Sequence, residues 1–232
     1  MLSYRLLTSH KGILLTGDYL ALRKLHDVVH TVNEGSVLVK DKEGALLRLA
    51  YEIRKAYERQ RRIITPPKHY EEVGVRYGFE VLWPEIIVTS RMLRESMAFM
   101  ATDKSTQSIV FNLEALIEEA IEEDFGAKAN EIKDEWLRIN TTHSWPEEHL
   151  SGRCAIFESW TKSERRKFMR SLLLSFNPMY QLLYSTWESA GEDLSDFISP
   201  DEFASWDDEE PEINAFAVSS ERTARSFQRQ GL

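Results

Sequence analysis

The stretch VGVRYGFEVLW, residues 73–83, settles which kind of fold the chain takes. Val73, Val75, Tyr77, Phe79, Val81 and Trp83 alternate with Gly74, Arg76, Gly78, Glu80 and Leu82. Successive side chains of a strand point to opposite faces, so this alternation predicts a β-strand with one large apolar face. The other face carries two glycines that leave room for a close neighbour. It also carries Arg76 and Glu80, spaced to pair along the strand. Pro84 follows directly, and a proline suits the first position of a helix because its missing N–H would have no partner there. A helix is therefore expected from Pro84 to about Ala101.

Upstream, two short apolar runs at 3–8 and 13–16 flank SHKG, which reads as a hairpin turning at Gly12. Thr16 or Asp18 then caps a helix to about Asn33, stopped by Gly35. Leu22, Leu25, Val29 and Val32 are its apolar stripe. A second helix is expected over about 41–62, with Leu46, Leu49, Ile53 and Tyr57 on one face, before Thr65, Pro66 and Pro67 break it. Beyond Thr102 the pattern is helical, with helices near 104–124, 127–139, 146–160, 162–175 and 178–190. The expected class is α+β and helix-dominant: a small antiparallel sheet, made of the N-terminal hairpin plus strand 73–83, packed by about seven helices. Residues 1–190 are expected to form a single domain, with a possible sub-boundary near 101–105. Residues 191–232 then make an acidic segment and a flexible tail, the segment holding one more helical turn after Ser199-Pro200.

With 232 residues and 42% hydrophobic side chains, the chain can bury a sizeable core. It holds one cysteine, Cys154, which cannot close an intramolecular disulfide. The opening residues lack the apolar core and cleavage site of a signal peptide, and no run of eighteen apolar residues occurs. A soluble cytoplasmic protein without a membrane partner is the expectation.

The net charge of −9 is unevenly spread. Between Glu188 and Glu212 lie eleven acidic residues and no Lys or Arg, so the rest of the chain stands at +2. Within that segment Phe197, Phe203 and Trp206 are interspersed. An acidic solubilising tail carries no large apolar groups, so these aromatics imply a surface on which the segment folds. That surface is either the chain's own basic helix, which the segment would cover, or a basic patch on a partner.

The basic helix is the second charged feature. Arg48, Lys55, Arg59 and Arg62 fall opposite the apolar stripe of helix 41–62. Such a row could bind a protein partner or neutralise the phosphates of nucleic acid. Lys162, Arg165, Arg166, Lys167 and Arg170 form a second basic cluster that would extend it if the fold brings the two together.

Candidate chemistry is thin. His26 and His30 are one helical turn apart and Glu34 continues the row, a ligand set that zinc or non-haem iron could take. The glutamate of the HExxH motif is missing, because Asp27-Val28 stands in its place. His26 also lies at the edge of the apolar stripe, with His30 and Glu34 farther round. His143, His149 and Cys154 could in principle supply a Cys–His pair, but no nucleophile signature surrounds Cys154. Neither glycine-rich phosphate motif occurs. No cofactor is expected beyond that metal alternative. The composition points to a non-catalytic binding or regulatory protein acting through helix 48–62 and segment 188–212. A metal-dependent enzyme using His26, His30 and Glu34, and a nucleic-acid-binding protein, are the alternatives.

Overall fold

The computed structural model describes residues 1–66, 69 and 74–207. Val73 and the tail expected after residue 207 lie outside the described residues. The sheet begins with β1 (Ser3–Leu6) and β2 (Gly12–Gly17), joined through a 3-10 turn at Thr8–His10. Two helices follow, α1 (Tyr19–Gly35) and α2 (Ala45–Tyr57), then β3 (Arg62–Ile64) and β4 (Arg76–Leu82). The chain continues as α3 (Trp83–Ser96), α4 (Lys104–Phe125), α5 (Ala129–Arg138), α6 (Trp145–Ser159), α7 (Lys162–Leu174), α8 (Tyr180–Ala190) and α9 (Pro200–Asp207). The helix-dominant α+β class is as the sequence predicts. The sheet has four strands in the order β1-β2-β4-β3, all antiparallel.

The register explains the alternation in β4. Phe79 stands opposite Leu15 and Val81 opposite Ile13, and all four are buried on the inner face. Gly78 stands opposite Thr16, and a Cβ there would come within 2.8 Å of the Leu15 carbonyl oxygen. The glycine is thus what lets β2 approach. Arg76 and Glu80 do not pair with each other. Arg76 donates to the carbonyl oxygen of Met1, and Glu80 accepts from Arg62 at 3.0 Å across to β3.

β3 was not expected. Helix α2 stops at Tyr57 and the chain reverses at Arg59, whose φ of 66° is left-handed. The charged run Gln60-Arg61-Arg62 continues the helical pattern, so nothing in it marks the stop. Pairing of Ile63 with Tyr77 takes the segment into the sheet instead. Helix α3 ends at Ser96, short of Ala101.

Helix α3 is buried on every side: Ile86, Ile87, Val88, Met92 and Leu93 are all core residues. Its buried hydroxyls are satisfied, as buried polar groups must be. Thr89 donates to the Glu85 carbonyl at 2.7 Å, and Ser90 accepts from Trp136 Nε1 at 3.1 Å. The β1–β2 turn is tied to the end of α4, where Asp124 lies 2.8 Å from both His10 Nδ1 and Trp83 Nε1. No helix among the described residues is long and apolar enough to cross a membrane.

The segment set apart at residue 191 is built into the same core. Ile198 and Phe203 are 4% and 2% exposed, and α9 packs on α6. Ile198 N–H donates to Ser171 Oγ at 2.9 Å, and the Phe203 ring lies 4.6 Å from the Arg153 guanidinium.

Candidate binding site

Helix α7 presents its cations in two directions. Thr161 closes a capping box with Glu164, which fixes the first turn. Arg165 is then turned inward, 4% exposed, and spends its guanidinium on the carbonyls of Phe157, Glu158 and Ser9 at 2.9, 2.7 and 3.2 Å. It anchors the hairpin and is lost to any surface patch. Arg166, Lys167 and Arg170 point the other way, toward α5.

There they meet Lys128, from the turn before α5, around a cleft of about 260 Å³. The chain's own acidic segment closes one side. Asp196 lies 3.4 Å from Lys128 Nζ and 3.8 Å from Lys167 Nζ. The Arg170 guanidinium sits 5.6 Å from the Phe197 ring centre and also pairs with Glu131 and Glu135. Asp193 and Ser195 complete that wall. Arg166 is exposed and has no ion-pair partner among the described residues. The cleft therefore holds an aspartate against two lysines and an aromatic ring against an arginine, both supplied by one loop.

Of the residues singled out for the acidic segment, Phe197 belongs to this cleft. Phe203 is core, and Trp206 is half-buried against it. The surface they fold on is α5, α6 and α7 rather than α2. Of the second basic cluster read in the sequence, Arg166, Lys167 and Arg170 line this cleft. Lys128 and Asp196 carried no local signal, because their pairing spans residues 68 apart.

The basic helix dissolves as a single surface. Arg48 and Lys55 lie on α2, Arg59 in the turn after it and Arg62 on β3. Much of the positive charge there is already paired. Arg61 holds Glu52 through two bonds of 2.7 Å, Arg62 holds Glu80, and Arg54 lies 3.9 Å from Glu58. Nor does it join the second cluster: α2 packs on α1, β4 and α3, whereas α7 packs on α5 and the hairpin turn.

His26, His30 and Glu34 do not come together as a set of three possible metal ligands. Among the described residues no three His, Cys, Asp or Glu side chains gather as a metal would require. The two imidazoles are 5.9 Å apart between ring centres. His26 lies 3.2 Å from Asp27 and packs edge-on against Tyr57, while His30 and Glu34 face solvent. The stripe beneath them sets this arrangement, since Leu22, Leu25, Val29 and Val32 occupy the buried arc as expected. Cys154 is buried beside Glu85 and Arg48, and burial pushes its thiol well above the ordinary cysteine value. A thiol held protonated is a poor nucleophile. Glu85 is pushed up to about 6 by the same enclosure, against the pull of Arg48.

The chain belongs to the family described as a domain of unknown function, DUF6904, whose model matches residues 2–213. No curated protein and no solved structure matches it.

Proposed function

We propose that the protein is a non-catalytic binding protein that recognises a protein partner through charged surfaces, with the cationic face of α5 and α7 as the principal one. The observation that carries this reading is the Asp196 carboxylate lying between Lys128 and Lys167. Four cations line the cleft; of its three acidic residues, Glu131 comes from α5 and pairs with Arg170, whereas Asp193 and Asp196 come from a loop rather than from the helices that build the floor. A face that attracts an acidic loop in the same chain has the charge and shape to attract one from another protein. The α2 region supports a smaller role, because Arg54, Arg61 and Arg62 are engaged with Glu58, Glu52 and Glu80.

Reversing Arg166 and Lys167 to Glu tests the assignment. Both side chains are exposed, so the fold should survive. Affinity capture on the immobilised wild-type chain should retain a protein that the double variant loses, and raised salt should release it. Equal capture by both chains would remove the α7 face from the reading.

A further inference from the structure

We propose that the α5–α7 cleft is a recognition site for an acidic residue followed by an aromatic one, and that Asp196-Phe197 is its exchangeable stand-in. This inference rests on the reading of the cationic face above. It adds the identity of the ligand and how it enters.

The loop 192–197 is held more loosely than residues 198–203. Ile198 is fixed on both sides of its peptide unit, through Ser171 Oγ and Tyr180 Oη at 2.9 and 2.7 Å, and its side chain is buried. Phe203 anchors α9 in the core. By contrast, Asp196 and both its lysines are about half exposed, with side-chain exposures of 52%, 38% and 43%. An exposed ion pair of that kind contributes about fivefold at most to an equilibrium. Phe197 is half-buried and has two ring-face contacts, a cation–π pair with Arg170 and the Trp187 ring 5.2 Å away between centres, each of similar weight. The loop starts at Gly191, whose φ of 74° is left-handed, immediately after α8. Release of residues 192–197 thus breaks the Asp196 pairs and the Phe197 contacts with Arg170 and Trp187, while Ile198 and Phe203 stay in place in the core.

The vacated positions define the ligand. Lys128 and Lys167 are spaced for one carboxylate, and Arg170 offers a cationic plane for a ring beside it. Arg166 stands at the same cleft without a partner among the described residues, so an incoming segment with a second acidic group gains a contact that the resident loop does not make. The ligand class is an acidic, aromatic-bearing segment of a partner protein. The resident loop lowers its apparent affinity by the fraction of molecules in which the cleft is filled.

The test uses a fluorescein-labelled peptide copying residues 192–197, EDLSDF, titrated by anisotropy against three full-length chains. The variant Asp196→Ala with Phe197→Ala should bind it about tenfold more tightly than the wild type. Adding Arg166→Glu and Lys167→Glu should abolish binding. If Phe197→Ala loosens the fold, Asp196→Asn alone should give a smaller rise in the same direction. Binding that is equal in the opened and wild-type chains, yet lost on charge reversal, overturns the exchange and leaves the cationic face standing. Binding that survives charge reversal overturns both. A peptide ending in Ala, or an oligonucleotide of equal charge, that binds the opened chain as well as EDLSDF would also overturn the proposal, since it assigns the ring a place.

Discussion

The Tyr180 hydroxyl donates to the Ile198 carbonyl oxygen at 2.7 Å and closes a ring of three hydrogen bonds. Ile198 N–H donates to Ser171 Oγ at 2.9 Å. With the tyrosine proton committed to Ile198, Ser171 donates in turn to Tyr180 Oη at 2.9 Å. All three residues are buried, and burial pushes the phenol up to about 12. This ring is where the acidic segment stops being a loop and becomes part of the body.

Tyr180→Phe should therefore cost about 1–2 kcal/mol, because it leaves the Ile198 carbonyl buried with its acceptor unmet. Phe203→Ala should cost more, about 3–5 kcal/mol, through the cavity left between Arg153 and Tyr180. Urea unfolding of both variants checks the order. A Tyr180→Phe chain as stable as the wild type would mean that the ring does not hold the segment.

Glu85 gives the stability a pH dependence of known sign. Its folded value of about 6 lies above the ordinary 4.5, chiefly through burial, with Glu52 and Glu158 adding to the rise and Arg48 opposing it. A carboxyl raised in this way favours the fold when protonated. Its contribution is complete below about pH 4.5 and is lost as the pH rises through about 6, about 2 kcal/mol in all. Glu85→Gln should accordingly be the more stable chain at pH 7.5, with the advantage shrinking toward zero near pH 4.5. Urea midpoints of the two chains across that range measure it. A difference that does not change with pH would show that Glu85 does not titrate in this window.

Much of this was legible in the sequence and some was not, for physical reasons. Strand β4 declared itself because one buried face imposes a period of two on Tyr77, Phe79 and Val81. The stripe of α1 did the same at the helical period. β3 hid because Gln60-Arg61-Arg62 satisfies a helix pattern, and only pairing with β4 decides otherwise. The acidic segment's aromatics did reveal that it needs a surface. Which surface depended on tertiary placement, since Lys128 and Lys167 come together only after α5 packs on α7. Arg165 shows the opposite error: it reads as part of a basic face, yet the carbonyls of Phe157, Glu158 and Ser9 draw it inside.

The histidines of α1 should bind no metal of structural consequence. His26 is engaged with Asp27 and Tyr57, and His30 is exposed. His26→Ala with His30→Ala should shift the unfolding midpoint by no more than about 1 kcal/mol, and EDTA should leave the wild-type curve unchanged. Stoichiometric zinc or iron in the purified chain, lost in the double variant, would restore the metal reading.

The contact of Asp124 with His10 and Trp83 predicts a larger effect from a smaller change. One carboxylate accepts from two ring N–H groups, that of buried Trp83 and that of half-buried His10, at 2.8 Å each, and so joins the β1–β2 turn, the start of α3 and the end of α4. The His10 ring also stacks on Phe125. The turn bears strain: Ser9 and His10 both adopt left-handed φ angles, 64° and 53°, which side chains with a Cβ disfavour. Something must hold them there, and the bonds to Asp124 and from Arg165 to the Ser9 carbonyl are the groups placed to do it. Asp124→Asn keeps the shape but offers one acceptor oxygen and an amide NH2 that only donates, so one ring N–H loses its partner. The expected cost is about 2 kcal/mol. Trp83→Phe removes one of the two donors beforehand. In that background Asp124→Asn should cost about 1 kcal/mol less, which a double-mutant cycle in urea would read directly. Additive costs would show that Asp124 does not couple the hairpin turn to α3, and would leave the strain at Ser9 and His10 to Arg165 alone.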